Sequence, residues 1–236
     1  MNELSPLRTI GDEKTEPRHG TIGLRVFEAL RLAIVQLQLR PGHLLSEAEV
    51  ARQLGVSRQP VREAFIKLTE IGLVEVRPQR GTFVVLISRR EVENARFIRE
   101  AIEVAIVRKA CSVASPSDID TMRAIVDRQK TIIQTDDRPA FFRLDEAFHQ
   151  SLARSVDCEQ AWRLLENLKA QMDRVRYLSM PLATPPAILI AQHEAIAEAV
   201  AAGDADAAEA RMREHLSEIL KSLPKIATAY ADIFAE

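Results

Sequence analysis

Between Ser46 and Val85 the chain reads SEAEVARQLGVSRQPVREAFIKLTEIGLVEVRPQRGTFVV, and the order of local signals along it admits few folds. Ser46 followed three residues later by Glu49 is a capping-box pair, which starts a helix by satisfying N–H groups that lack intrahelical partners. Val50, Ala51 and Leu54 give that helix one apolar face, and Gly55 suits the left-handed position just past its end. Ser57 is placed to cap a second helix, with Pro60 in the first turn, where a missing N–H costs nothing. This second helix carries Val61, Ala64, Phe65 and Leu68 at the spacing of a buried stripe, and Gly72 closes it. Val74-Glu75-Val76-Arg77 and Thr82-Phe83-Val84-Val85 alternate around Pro78-Gln79-Arg80-Gly81, the pattern of two strands and a turn. Upstream, Val26, Ala29, Leu30, Ala33 and Leu37 form the stripe of a supporting helix that Arg40-Pro41-Gly42 terminates. Three helices and a small β wing over 21–86 predict a winged helix-turn-helix.

Such a module predicts contact with DNA. Arg58, Gln59 and Arg62 lie off the apolar stripe near the start of the second helix, the end that a recognition helix presents to base edges. Arginine's fork bonds guanine O6 and N7 together, and glutamine suits adenine or a phosphate. Arg80 sits at the tip of the wing. The bland alternative is that these charges are the solvated face of an ordinary amphipathic helix. Local charge favours DNA: residues 57–90 hold seven Arg or Lys (Arg58, Arg62, Lys67, Arg77, Arg80, Arg89, Arg90) against three acids (Glu63, Glu70, Glu75).

A chain of 236 residues has room for a second domain. Up to residue 90 there are 14 basic and 10 acidic residues, and beyond it 18 basic and 24 acidic, so a head of net +4 precedes a body of net −6. The overall −2 conceals that asymmetry. Cys111 and Cys158 have no CxxC neighbour and build no disulfide scaffold, which fits a reducing cytoplasm. Residues 1–20 lack an apolar core segment, read as a flexible arm rather than a secretory signal, and include His19. No run approaches the length of a membrane helix, so the expectation is a soluble, cytoplasmic protein.

Beyond the wing, over 87–236, apolar residues recur at helical spacing almost to the end, which predicts an all-helical bundle of about six helices. The approximate spans are 90–114, 117–135, 138–156, 158–180, 186–203 and 204–230, with breaks at Ser115-Pro116-Ser117, Asp136 to Pro139, Pro181 to Pro186 and Gly203-Asp204. The fold class is therefore mainly α.

Three histidines fall in this body. His149 follows Asp145 by four residues, so a carboxylate and an imidazole share one helix face and can grip one cation. His193 has Ile190, Ile196, Ala197 and Val200 beside it and points inward; His215 lies between Met212 and Ile219. Any one of them alone reads more simply as a satisfied core histidine. Three together fit a metal held between helices of a bundle, although periodicity does not show that they converge.

The first module resembles the N-terminal domain of GntR-family transcriptional regulators, through Arg40-Pro41-Gly42, Leu45-Ser46-Glu47, SRQPVREA over 57–64, Gly72-Leu73-Val74 and Arg80-Gly81. The resemblance implies that Arg58 and Arg62 contact DNA and that Arg80 and Gly81 enter the minor groove; with Ser57 and Gln59 these make up the expected DNA-binding set. Some members carry a DNA-contacting arginine where this chain has Ala48, which implies a missing contact and a different operator. Asp145-x-x-x-His149, His193 in Gln-His-x-Ala-Ile, His215 in Glu-His-Leu and Arg99-Glu100-Ala101-Ile102-Glu103 are similar to the FCD domain of the family's FadR branch. Six helices rather than seven resemble its smaller VanR-like subgroup.

That resemblance implies a divalent metal on Asp145, His149, His193 and His215, zinc first, with nickel, manganese or iron as alternatives. It also implies a small carboxylate effector, paired with Arg99 through its bidentate fork, unless Arg99 is only salt-bridged to Glu103. The expected function is a ligand-responsive repressor acting on double-stranded operator DNA as a homodimer. Two rivals stand beside it. One is a metal-dependent hydrolase, weakened because Glu146, Glu194 and Glu214 adjoin ligands in sequence and so point about 100° away from them. The other is a regulator whose metal is purely structural.

Overall fold

A computed structural model describes residues 21–135 and 137–235. The proposed N-terminal arm, with His19, lies outside them. The chain divides into two compact units, one made by the described residues up to Arg89 joined by those from Asp232 onward, the other by Arg90–Ala231.

In the first unit, α1 (Ile22–Val35) is capped by Thr21, whose hydroxyl accepts from Leu24 N–H at 3.3 Å, and it packs along α3 (Arg58–Glu70) through Val26, Leu30 and Ala33. The helix ends earlier than its predicted stripe. Leu37 takes a left-handed φ of 60°, and Leu39, not Leu37, fills the buried position. Between them, α2 (Glu47–Leu54) begins at Ser46, whose side chain accepts from Glu49 N–H at 3.4 Å. The reciprocal half of the expected capping box is not made, because the Glu49 carboxylate is taken by Arg52 and Gln53. Gly55 caps α2 at φ 66°, as its position predicts. Ser57 is the N-cap residue of α3 by backbone geometry, yet its hydroxyl makes no capping bond. Val61, Ala64, Phe65 and Leu68 are all buried.

The wing has three strands in the order β1 (Leu44–Leu45), β3 (Gly81–Val84), β2 (Val74–Arg77), all antiparallel. Gly81, paired with Arg77, has a φ of 114°, a backbone conformation that strains any residue with a Cβ. The last residues complete this unit. Ile87 N–H donates to Ile233 O and Ala235 N–H donates to Ile87 O, both at 2.9 Å, in a short parallel bridge that buries Ile87, Ile233 and Phe234. Arg40 and Asp232 form an ion pair at 3.1 Å. Residues 232–235 thus pack with the head, where the sequence assigned them to the body.

The second unit is helical throughout: α4 (Arg89–Val113), α5 (Pro116–Ile132), α6 (Arg138–Arg154), α7 (Glu159–Leu168), α8 (Ala170–Leu182), α9 (Pro186–Ala201) and α10 (Ala205–Ala229). The single helix expected over 158–180 is two, broken at Lys169, where ψ is 3°. No glycine or proline marks the break. Lys169 is fully buried, paired with Glu146 and, at 2.8 Å, with Asp173, its ammonium 5.5 Å from the Trp162 ring centre; these partners hold the kink. With seven α-helices from α4 to α10, the count of six that suggested the smaller subgroup does not hold. Packing of α5 on α6 and α9, and of α9 on α10, sets the middle of α6, α9 and α10 around one interior point. No described helix is long and apolar enough to cross a membrane.

Candidate metal centre and reading head

At that interior point Asp145 and His149 from α6, His193 from α9 and His215 from α10 converge, with one candidate ligand atom from each lying within 4.8 Å of all the others. All four are buried; His193 is wholly inaccessible. His215 Nε2 lies 3.2 Å from His149 Nε2 and 3.4 Å from His193 Nε2, and His193 Nε2 is 3.7 Å from Asp145 Oδ1. Aromatic neighbours fix the ring planes: Phe148 stacks on His193 at 4.2 Å, and Trp162 lies parallel to His149 at 6.2 Å.

The far side of each imidazole meets an acceptor. His193 Nδ1 is 2.9 Å from Gln129 Oε1, His215 Nδ1 is 3.0 Å from Gln192 Oε1, and His149 Nδ1 is 2.6 Å from Glu103 Oε2. The last contact is close but off line for a hydrogen bond. In the tautomer that carries its proton on Nδ1, facing these acceptors, each ring turns its Nε2 lone pair inward. Burial pushes the His193 pKa down to about 3, with His149, Arg176 and Arg99 adding to the fall and Asp145 opposing it. Burial likewise holds His215 well below the ordinary histidine value. Burial would raise Asp145, but Arg176, His193 and His149 outweigh it and keep the carboxylate ionised. Imidazoles held neutral at His193 and His215 beside an ionised carboxylate are protonation states that suit a divalent ion, so the donor set fits a metal. Arg176 pairs with Asp145 Oδ2 and leaves Oδ1 toward the histidines.

Arg99 lies beside this cluster, and both readings of it apply at once. Its Nε pairs with Glu103, four residues on, while its NH2 nitrogen is buried without a hydrogen-bond partner. The same cavity is lined by Arg96, Arg99, Arg176, Asp145, His215 and Phe142. The glutamates that adjoin ligands are engaged elsewhere: Glu194 with Lys130 at 2.6 Å, Glu214 with Arg211 at 3.2 Å, and Glu146 with Lys169 and Arg176. None is free to serve as a base. Sequence reasoning missed Gln129, Gln192 and Arg176. Gln192 was visible only as the neighbour of His193, yet it serves His215.

In the first unit, Ser57, Arg58, Gln59 and Arg62 cluster at the start of α3, all exposed. Glu47 of α2, also missed, holds both arginines: Arg62 Nε and NH2 donate to it at 3.1 and 3.2 Å, and Arg58 lies 3.5 Å away. Gln59 donates to Glu63 at 3.1 Å. Arg80 is exposed in the β2–β3 turn, with Gly81 opening β3.

Residues 22–84 match the model of bacterial regulatory proteins of the gntR family, and residues 95–218 match the FCD domain. The HTH-type transcriptional repressor RspR of Escherichia coli (strain K12) is 44% identical over 215 residues, covering 91% of this chain and 94% of that protein. Among solved structures, E. coli McbR/YncC superposes with a TM-score of 0.76 at 20% identity, over 89% of this chain and 99% of that one. A putative GntR transcriptional regulator from Rhodococcus sp. RHA1 gives 0.71 at 26% identity, over 88% and 98%. The chain belongs to the gntR family of bacterial regulatory proteins: it is a transcriptional regulator, not an enzyme, that joins a DNA-binding winged head to an FCD domain for a small-molecule effector.

Proposed function

We propose that the helical unit holds one divalent ion on Asp145, His149, His193 and His215, and that a small carboxylate reaching the ion and Arg99 alters the grip of a homodimer on its operator. The observation that carries this reading is the convergence of four buried donors beside an unpartnered buried guanidinium nitrogen. A carboxylate supplies what both lack, an anionic oxygen for the ion and an acceptor for Arg99 NH2. Zinc suits the imidazole-rich set, and metal analysis separates it from nickel, manganese and iron. On the head, Ser57, Arg58, Gln59 and Arg62 read the major groove, with Arg80 and Gly81 at the minor groove. Ser57 has a hydroxyl that its own helix does not use. Repression is the sign we assign, as in the name of the E. coli relative.

Coupling has a covalent route: α10 carries His215, and the chain continues from it into the tail that packs in the head. A coupling of about 1–3 kcal/mol corresponds to roughly 5- to 150-fold in DNA affinity. The test is selection of a binding site from random DNA by the metal-loaded full chain, followed by titration of simple carboxylates against that complex. A near-palindromic site whose affinity shifts with a carboxylate supports the reading. Affinity indifferent to every carboxylate makes the ion structural and refutes the sensing role.

A further inference from the structure

We infer that Glu103 is a positioning residue for both halves of the sensing site, fixing the metal-binding tautomer of His149 with one carboxylate oxygen and the guanidinium of Arg99 with the other. The inference rests on the metal reading above. Glu103 lies on α4, one turn after Arg99, and is 2% exposed. Its Oε1 pairs with Arg99 Nε, and its Oε2 lies 2.6 Å from His149 Nδ1. Neither Oε2 nor that Nδ1 has a hydrogen bond elsewhere. The two atoms thus lie against each other with no hydrogen bond to a third group.

The three ligand histidines are not supported alike. His193 and His215 face the amides of Gln129 and Gln192, and an amide can turn its oxygen or its nitrogen toward a ring, so it supports either tautomer. A carboxylate only accepts. Opposite Glu103 the His149 Nδ1 must carry the proton, which leaves Nε2 with its lone pair toward the shared centre. The other carboxylate oxygen holds Arg99 at Nε and leaves its NH2 edge unpartnered beside the cavity. One side chain thus sets the ligand and aims the arginine.

Glu103→Gln separates this from a role in mere packing. Arg99 only donates, so the new amide must turn its oxygen to Arg99 and its NH2 to His149 Nδ1. The proton moves to Nε2 and blocks the ligand position, although the replacement has nearly the same shape. Loss of a partner that orients a metal-bound histidine weakens metal affinity by about 10- to 100-fold.

The experiment uses the full chain and zinc alone, titrated against a chromophoric chelator, with cobalt(II) absorption and the nitrogen NMR shifts of His149 in the metal-free protein. The expected result is one zinc per wild-type chain and zinc binding about 10- to 100-fold weaker in Glu103→Gln, with an altered cobalt spectrum and the His149 proton moved from Nδ1 to Nε2. Melting of the metal-free variant checks its fold. If it does not fold, Glu103→Asp keeps the buried charge beside Arg99 but draws the carboxylate away from His149 Nδ1, and weaker zinc binding is expected from it as well. Wild-type zinc affinity in a folded variant overturns the inference and leaves the metal reading intact. A wild type that takes up no zinc, nickel or manganese overturns both.

Discussion

Stripping the metal should lower the melting temperature of the helical unit, and His193→Ala should abolish that dependence. His193 is the most enclosed of the four candidate ligands, with Nε2 3.4 Å from His215 Nε2 and 3.7 Å from Asp145 Oδ1, so its removal deletes a donor no neighbour can replace. An ion present at 100 times its Kd stabilises the state that binds it by about 2.7 kcal/mol. A unit spanning Arg90–Ala231 lies just below the size range where 1 kcal/mol moves Tm by roughly 2–4 °C, which gives an expected shift of about 10 °C. The variant also loses the stack on Phe148 and leaves Gln129 Oε1 unpaired, so its metal-free form should melt lower by about 1–3 kcal/mol. Calorimetry of chelator-treated, zinc-reloaded and variant protein at one concentration separates the two effects. Identical wild-type melting with and without zinc would refute the four-ligand site. A variant that keeps the full zinc-dependent shift would remove His193 from it.

Arg62→Ala should cost about 1–3 kcal/mol of operator affinity, or roughly 5- to 150-fold, while metal content stays unchanged. Fluorescence anisotropy at fixed salt measures it, and undiminished binding would show that α3 does not read bases through this arginine. Phe234→Ala should destabilise the winged unit by on the order of 2 kcal/mol, because the side chain is 7% exposed and seals Ile87. A chemical melt followed at that unit that does not move would mean the tail adds nothing to its core.

The head was legible because its signals are local. Gly55 just past α2, the Val61-Ala64-Phe65-Leu68 stripe and the Gly72 stop each act within a turn of themselves, and the structure follows them. Where tertiary partners decide, the chain gave no notice. Two-residue β1 has no alternation to read, and the α7–α8 break depends on Glu146 and Asp173 reaching a lysine that looks like any helix residue. Residues 232–235 carry a short apolar pair that fits the end of a helix as well as a tail strand. For the centre, the inward placement of His193 came from periodicity, which left His215 inward or at an edge, while the identity of the ligand set came only from resemblance. Gln129 carried no signal, since its amide gains a purpose only when α5 meets α9.

Charge around the centre decides what else can enter it. Among the described residues, Arg99, Lys169 and Arg176 are linked to Glu103, Asp145, Glu146 and Asp173 in one buried or half-buried set of ion pairs that has one carboxylate in excess. Burial raises Glu103 and Glu146, but Arg99 and His149 bring Glu103 down to about 2 and Lys169 and Arg176 hold Glu146 well below its ordinary value, so both are ionised. His193 and His215, held neutral by burial, add no charge. A divalent ion therefore turns a net −1 into a net +1 in a place where uncompensated charge is costly, and one monocarboxylate restores neutrality. Acetate should consequently bind zinc-loaded protein more tightly than metal-free protein, and acetamide, of the same shape without the charge, should bind neither. Calorimetric titration of both probes into both forms tests this, and equal binding of acetate and acetamide would refute the charge argument. Linkage adds an independent check on the same number: whatever factor zinc gives acetate, acetate must give zinc.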